Sequence, residues 1–316
     1  MSASIRSRVK IPGVDDEGTA DFYEDGPKGH EPMNKTALRE AERKYKSKTN
    51  LDLTEVVDFS LMESTCCISY EACGKAVECS GYSIEGKEGF FYFPSAIPID
   101  LQQKLVKSIL TEYIFSGNES NLDPFYEIPY NGLFNSQRDL ITSKCGSKPD
   151  MMGSQLLRKL RWVTIGYRYN WTTKEYDYDR PHLPVPSGLT EFCRSFAKAL
   201  GYVDYKAEAG IINFYQPDDT LTCHVDRSER NMEPPLISMS FGLDGIFLLG
   251  GETRDDVVHA IRVRSGDISV LSGKSRMYFH GIPRILGGTN QVEYSDPDIH
   301  EFLSTTRINA NIRQVF

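Results

Sequence analysis

The chain has 316 residues, 40% of them hydrophobic and 25% charged, with a formal net charge of −8. That composition is globular, and it excludes wholesale disorder, a collagen-like or low-complexity chain, and a nucleic-acid coat protein held by bulk positive charge. No run approaches the ~20 apolar residues that span a bilayer, so no membrane partner is expected. The first ten residues carry no secretory apolar core, and seven scattered cysteines favour reduced thiols over a disulfide framework. A soluble intracellular protein, monomeric in solution, is expected.

Residues 1–85 read as an N-terminal extension. Asp15 to Pro32 is rich in Gly, Pro and charge and is expected to be flexible. Ser2 to Lys10 is basic and Ser-rich like a mitochondrial transit peptide, but Pro12, Gly13 and the acidic run after Val14 cut short any amphipathic helix. Nucleus or cytoplasm is the expected location, with the mitochondrion as the alternative. From Lys35 to Lys46, Ala37, Leu38, Ala41 and Tyr45 fall at helical spacing, which predicts a basic amphipathic helix docked on the body. Cys66, Cys67, Cys73 and Cys79 crowd together without a CxxC pair or a nearby histidine. A surface hairpin is expected there, not a zinc site.

Phe90 to Phe93 reads as an aromatic strand, and Ile99 to Phe115 as a helix with an apolar stripe through Leu101, Leu105, Ile109, Leu110 and Tyr113. Ser116 to Met152 is turn-rich. An aromatic cluster follows, made of Trp162, Tyr167, Tyr169, Trp171, Tyr176 and Tyr178. Ser187 is the expected N-cap of a helix over Leu189 to Leu200, stopped by Gly201. Beyond Tyr205 the pattern is strand upon strand: Ile211–Tyr215, Leu236–Phe241, Ile246–Leu249, Ala260–Val263, Ile268–Leu271, Met277–Phe279 and Thr306–Val315. Helices followed by short strands predict an α+β protein with a sandwich or jelly roll at its C-terminal end.

Two constellations carry chemistry. On an extended chain His224 and Asp226 share a face, so both can grip one metal ion, and His280 is the candidate third ligand. Two histidines and one carboxylate leave coordination positions open, the arrangement of non-haem Fe(II) oxygenases. His30, His182, His259 and His300 lie in polar surroundings and are expected at the surface. In the last strand Arg307, Asn309, Asn311 and Arg313 share one face while Ile308, Ala310 and Ile312 share the other. Arginine offers a bidentate fork to a carboxylate, and Asn213 and Tyr215 sit i, i+2 on another strand.

Asn213-Phe-Tyr215, His224-Val-Asp226, His280 and Arg307 to Arg313, in that order and spacing, resemble the AlkB family of Fe(II)- and 2-oxoglutarate-dependent dioxygenases. Leu160 to Trp171, Ala209 to Asn213, His224 to Glu229, Phe247 to Gly251 and Ser265 to Asp267 resemble one branch of that family more closely. The resemblance covers residues 86–316. It implies a double-stranded β-helix (jelly-roll) core over about 205–316, with N-terminal helices and a nucleotide-recognition lid over about 155–185. It implies catalytic Fe(II) held by His224, Asp226 and His280. The cosubstrate 2-oxoglutarate would be bound by Asn213, Tyr215, Arg307 and Asn309, with Arg313 near its keto-acid end. Family enzymes use O2 to decarboxylate 2-oxoglutarate and hydroxylate an N-methyl carbon, which is then lost as formaldehyde.

By the same resemblance the substrate is a methylated base in tRNA or DNA, preferably unpaired, contacted by Trp162, Tyr167, Tyr169, Trp171, Arg227 and Ser228. Arg158, Lys159, Arg161, Arg168 and Lys174 interleave with the rings as candidate phosphate contacts. The competing reading of the rings is a packed aromatic mini-core. Two positions depart from the family pattern: Asn311, where many members carry Thr, and Ser228, where several repair enzymes carry an acidic residue. The functional alternatives are a 2-oxoglutarate oxygenase acting on a protein and an iron-free relative that only binds RNA.

Overall fold

A computed structural model describes residues 35–316, apart from Lys48, Asn50, Ser116 and Ser147. The expectations for Asp15 to Pro32, for Ser2 to Lys10 and for His30 fall outside those residues. Ten strands frame the site: β1 Phe90–Phe93, β2 Trp162–Gly166, β3 Ala209–Tyr215, β4 Leu221–His224, β5 Leu236–Gly242, β6 Asp244–Leu249, β7 His259–Val263, β8 Ile268–Leu271, β9 His280–Leu286 and β10 Arg307–Arg313. They form two sheets. The larger runs β1-β8-β5-β10-β3-β2 and ends on the short strand Glu119–Ser120; the smaller runs from Val56–Val57 through β7, β6 and β9 to β4. All pairings are antiparallel except that of Val56–Val57 with β7.

Alternation along β10 decides what lies on each face of the larger sheet. Ile308, Ala310 and Ile312 are fully buried on its outer face, in one core with Leu105 of helix α2 (Ile99–Ser108) and with Leu189 and Phe196 of the helix Ser187–Ala199. Arg307, Asn309, Asn311 and Arg313 turn the other way, toward the smaller sheet. A second core of Tyr215, Leu236, Leu271, Phe247, Ile282 and Tyr92 fills part of the space between the sheets. Both faces of the larger sheet are therefore covered, which explains why its strands read as near-continuous apolar runs.

The cysteine-rich segment is a hairpin, Cys66–Ala72 paired with Lys75–Gly81. Cys73 and Gly74 turn it with φ of +51° and +72°, the left-handed values that a two-residue hairpin turn requires. Tyr70 packs its ring against Phe192 and Phe196, and the hairpin's four cysteines are free thiols. Helix α1 (Ala37–Lys46) is capped by the Thr36 hydroxyl, which accepts from the Arg39 N–H at 3.3 Å. Its buried Leu38 and Tyr45 pack with Cys223, Ile246 and Leu248 of the smaller sheet, as a docked amphipathic helix should.

Three local expectations need correction. The helix begun at Ile99 does not continue as an α-helix to Phe115: it widens to π geometry at Ile109–Tyr113 and ends there. Ser187 is the first residue of its helix and not the cap; Pro186 occupies the cap position with φ −54°, and no side chain caps the turn. Met277–Phe279 is not a strand. Gly273–Met277 forms a 3-10 turn closed by the Ser275 hydroxyl, which accepts from the Ser272 N–H at 2.9 Å, so the strand starts only at His280. The apolar run Met277-Tyr-Phe279 instead follows a buried Arg276 out of the turn and leaves Met277 exposed.

Candidate active site

Strands β4 and β9 are neighbours in register, with His224 directly opposite His280. Asp226 follows two residues after His224, and the three side chains converge. His224 Nε2 lies 3.7 Å from Asp226 Oδ1, His280 Nε2 lies 3.8 Å from Asp226 Oδ2, and the ring centroids are 4.7 Å apart. One ligand atom from each falls within 4.8 Å of the others, and all three residues are buried.

Both rings are held by their Nδ1 atoms, on the Thr222 carbonyl at 2.9 Å and the Tyr278 carbonyl at 3.1 Å. A carbonyl only accepts, so Nδ1 carries the proton and the Nε2 lone pair faces the centre of the cluster. Burial, helped by neighbouring His280, pushes the His224 pKa down to about 4, so the ring is neutral and ready to ligate at neutral pH. Burial alone would raise the Asp226 carboxyl. The Arg313 guanidinium, with the two histidines, instead holds it well below the usual carboxylate range.

Arg313 reaches this cluster from β10. Its Nη2 donates to Asp226 Oδ2 at 3.2 Å and its Nη1 to Glu229 Oε1 at 2.9 Å. The other oxygen of Glu229 accepts from Arg276 Nη2 at 2.9 Å. Sequence reasoning missed Glu229 and Arg276 as a pair. Glu229 stood in the stretch that carries the resemblance, but nothing in the spacing linked it to an arginine 47 positions away.

At the other end of the same pocket lies Arg307. The pocket runs between the two sheets and is lined by His224, His280, Tyr215, Ser238, Ser240, Ser269, Arg307, Asn309 and Asn311, with apolar walls of Leu221, Phe247 and Ile282. Arg307 is 1% exposed; it donates to the Leu243 carbonyl at 3.3 Å and the Ser240 hydroxyl at 2.9 Å, while its Nε has no partner. No carboxylate pairs with it among the described residues. Burial presses its pKa below the ordinary arginine value. A buried cation without a counter-ion needs an anion to offset its desolvation. An arginine at one end of the pocket and a two-histidine, one-carboxylate cluster at the other fit a dicarboxylate cosubstrate and a hard or borderline metal ion such as Fe(II).

The register across the larger sheet places the remaining residues. Trp162, Asn213, Asn309 and Ser240 stand directly opposite one another in a single inward row. Asn309 donates to the Met239 carbonyl at 3.2 Å, and the Ser238 hydroxyl bonds Asn311. Asn213 thus shares the pocket's face, although it does not line the cavity itself.

The aromatic cluster proves to be two things at once. Trp162, Tyr169 and Tyr176 are buried, Tyr169 packs with Tyr176, Ala209 and Val315, and its hydroxyl lies 3.1 Å from Ser228 Oγ. Those rings form the expected mini-core. Tyr167, Trp171 and Tyr178 are only half-buried, with the Trp171 ring centroid 4.6 Å from that of Trp162 and the planes tilted by 40°. The span 155–185 is not one flap, because it contains a helix (Gly153–Lys159), the sheet strand β2 and the hairpin Arg168–Asn170/Glu175–Asp177. Among the candidate phosphate contacts, Arg161 pairs with Asp219 at 3.2 Å and Arg168 with Glu119 at 3.5 Å. Arg158, Lys159 and Arg227 are exposed, and Lys174 is half-buried at the hairpin turn.

Residues 131–313 match the 2OG-Fe(II) oxygenase superfamily. The chain is 34% identical over 296 residues to the tRNA demethylase abh1 of Schizosaccharomyces pombe, covering 90% of this chain and 97% of that one. It is 33% identical over 340 residues to the DNA N(6)-methyladenine demethylase ALKBH1A of Arabidopsis thaliana, with the same coverage of 90% and 97%. To the human nucleic acid dioxygenase ALKBH1 it is 41% identical over 259 residues, 74% of this chain and 66% of that one. The solved structure of OsALKBH1 superposes with a TM-score of 0.50 at 18% identity, over 72% of this chain and 96% of the other, a likeness of fold. The chain belongs to the 2OG-Fe(II) oxygenase superfamily and, within it, to the AlkB homologue 1 group: it is a 2-oxoglutarate-dependent dioxygenase that uses Fe(II) and O2.

Proposed function

We propose that this dioxygenase is an oxidative demethylase of methylated bases in nucleic acid, tRNA or DNA, acting on nucleotides that are unpaired or easily unpaired. The observation that carries the reading is the pocket with the His224, Asp226, His280 cluster at one end and the unpaired, buried Arg307 at the other. The relatives named for tRNA and DNA demethylation supply the substrate class.

His224, Asp226 and His280 would hold Fe(II), which with O2 and 2-oxoglutarate would supply the oxidant that hydroxylates an N-methyl carbon; the hydroxymethyl group would then leave as formaldehyde and free the base. Arg307 and Tyr215 bind the distal carboxylate of 2-oxoglutarate, with Asn213 and Asn309 on the same face keeping that end polar. Leu221, Phe247 and Ile282 exclude water from the space between the two ends. An electrostatic fork that is desolvated and already oriented needs no reorganisation when the cosubstrate enters.

The hairpin Arg168–Asp177 acts as the cover over the mouth. Trp171 lies tilted against Trp162, which stands in the inward row of Asn213, and this half-buried ring is the one proposed to meet the base. A base must leave its stack before its methyl group can be reached, and an aromatic face offsets part of that cost. Arg227, Ser228 and Tyr167 complete the proposed substrate contacts. With a net charge of −8 the chain has no bulk attraction for duplex, so affinity rests on this local strip. One methylated sequence presented as single strand, stem-loop and full duplex tests the reading. Single strand and loop are expected to react fastest, and fastest turnover on the fully paired duplex would overturn it.

A further inference from the structure

We propose that Arg276 and Glu229 are positioning residues for the metal centre, acting on Asp226 through Arg313. Neither touches the metal cluster. The chain of contacts is continuous, from Arg276 Nη2 to Glu229 Oε2 at 2.9 Å, from Glu229 Oε1 to Arg313 Nη1 at 2.9 Å, and from Arg313 Nη2 to Asp226 Oδ2 at 3.2 Å. The side chains are buried throughout: Arg276 is 1% exposed, Glu229 0%, Arg313 4% and Asp226 8%. Arg276 is itself anchored by donating through Nη1 to the Pro234 carbonyl at 2.9 Å.

Counting charges explains why the relay needs all four members. Asp226 alone would draw Arg313 onto itself, and a cation bonded twice to a ligand carboxylate competes with a metal ion for the same oxygens. Glu229 prevents this by taking one arm of Arg313, so that Asp226 keeps one oxygen, Oδ1, clear of the guanidinium on the side of His224. A fully buried Glu229 facing a single arginine would in turn pull that arginine away from Asp226. Arg276 supplies the second positive charge that balances it. Two cations and two anions close the set, and the shared arginine sits between the two carboxylates at a fixed position. Arg313, whose two terminal nitrogens both serve protein carboxylates, is thereby a support of the metal ligand. Arg276 also lies in the 3-10 turn Gly273–Met277 that leads into β9, so this support of Asp226 lies four positions before His280 on the same stretch of chain.

The inference rests on the reading of His224, Asp226 and His280 as the metal site, and the test separates the two. Metal-free protein is titrated with Co2+, following both the dissociation constant and the visible d–d absorption band, whose intensity reports coordination geometry. Arg276→Gln is expected to raise the dissociation constant about 10-fold or more, the loss typical of a removed outer support, and to change the band. Arg276→Lys keeps the positive charge and is expected to stay within about threefold of wild type if one hydrogen bond to Glu229 survives. If Arg276→Gln does not fold, the double variant Glu229→Gln/Arg276→Met removes the buried charges as a pair. It is expected to fold and still bind Co2+ more weakly than wild type, since Arg313 is then free to close on Asp226. His224→Ala is the control. Wild-type Co2+ binding by His224→Ala would overturn the metal-site reading itself. Wild-type affinity and an unchanged band in folded Arg276→Gln, or in the double variant, would overturn the relay.

Discussion

At the scale of single residues, the site is a set of charges whose partners differ. Asp226 has Arg313, whereas Arg307 meets no carboxylate among the described residues, and that contrast assigns their tasks. His224→Ala or Asp226→Ala should abolish iron-dependent 2-oxoglutarate decarboxylation; His224→Ala should leave the fold largely intact, whereas Asp226→Ala also costs stability because Arg313 loses a buried partner. Wild-type turnover in either variant, measured with the circular dichroism spectrum as a control, would contradict the triad. Arg307→Ala should sharply raise the 2-oxoglutarate concentration required for half-maximal turnover, by the equivalent of about 2–5 kcal/mol for a desolvated pair. Arg307→Lys should recover only part of that, since an ammonium cannot reproduce the planar fork. Unchanged 2-oxoglutarate dependence in both variants would move the cosubstrate elsewhere. The residues with distinctive spacing were legible in the sequence, because i, i+2 pairs on strands keep their face in the fold. Arg276 and Glu229 were not, since their pairing depends on a turn and a crossover that no local pattern encodes.

At the scale of elements, the supports of the site come from unexpected places. Helix α1 was expected to dock on the body, and beyond docking its buried Glu42 accepts from the Cys223 N–H at 2.7 Å, one residue before His224, and pairs with Arg39 at 3.0 Å. Glu42→Ala leaves that amide buried without a partner and should cost about 1–3 kcal/mol of stability in urea denaturation. A loss below a few tenths would show the helix to be incidental. The hairpin Arg168–Asp177 is the opposite case, a surface element with a proposed role in binding. Trp171→Ala should lower activity on a methylated oligonucleotide by ~10-fold or more, given ~1–3 kcal/mol per stacked base, with uncoupled 2-oxoglutarate turnover near wild type. An undiminished variant would assign the ring to packing alone. Strands were legible where one face is apolar core and the other lines a polar pocket, as in β10. Met277–Phe279 failed because a short apolar and aromatic run after a buried arginine mimics a strand.

At the scale of the whole molecule, two sheets, helices behind one of them, and N-terminal segments bound to the other make a single support for the pocket. The segment holding Val56–Val57 is pinned by Asp58, whose carboxylate pairs with Arg264 and whose pKa is pulled down to about 2 chiefly by that hydrogen bond. A carboxylate that is more acidic in the folded state adds stability above pH ~4, and that stability is lost as pH falls from there toward 2. Asp58→Asn should therefore flatten the acid limb of the stability curve between those values; an identical limb in the variant would remove the pair from the account. The α+β class and the C-terminal sheets were legible in composition and periodicity, whereas the docking of residues 37–81 was not, because surface hairpins and amphipathic helices carry no address for the face they cover. The central claim, that the pocket oxidises a methyl group on an unpaired nucleotide, is tested most directly by counting formaldehyde released per 2-oxoglutarate consumed on a methylated stem-loop. The account predicts a ratio near one for the wild-type protein, with neither formaldehyde release nor 2-oxoglutarate consumption by Asp226→Ala. Brisk 2-oxoglutarate consumption without formaldehyde on methylated single-stranded, stem-loop and duplex nucleic acid alike would contradict it.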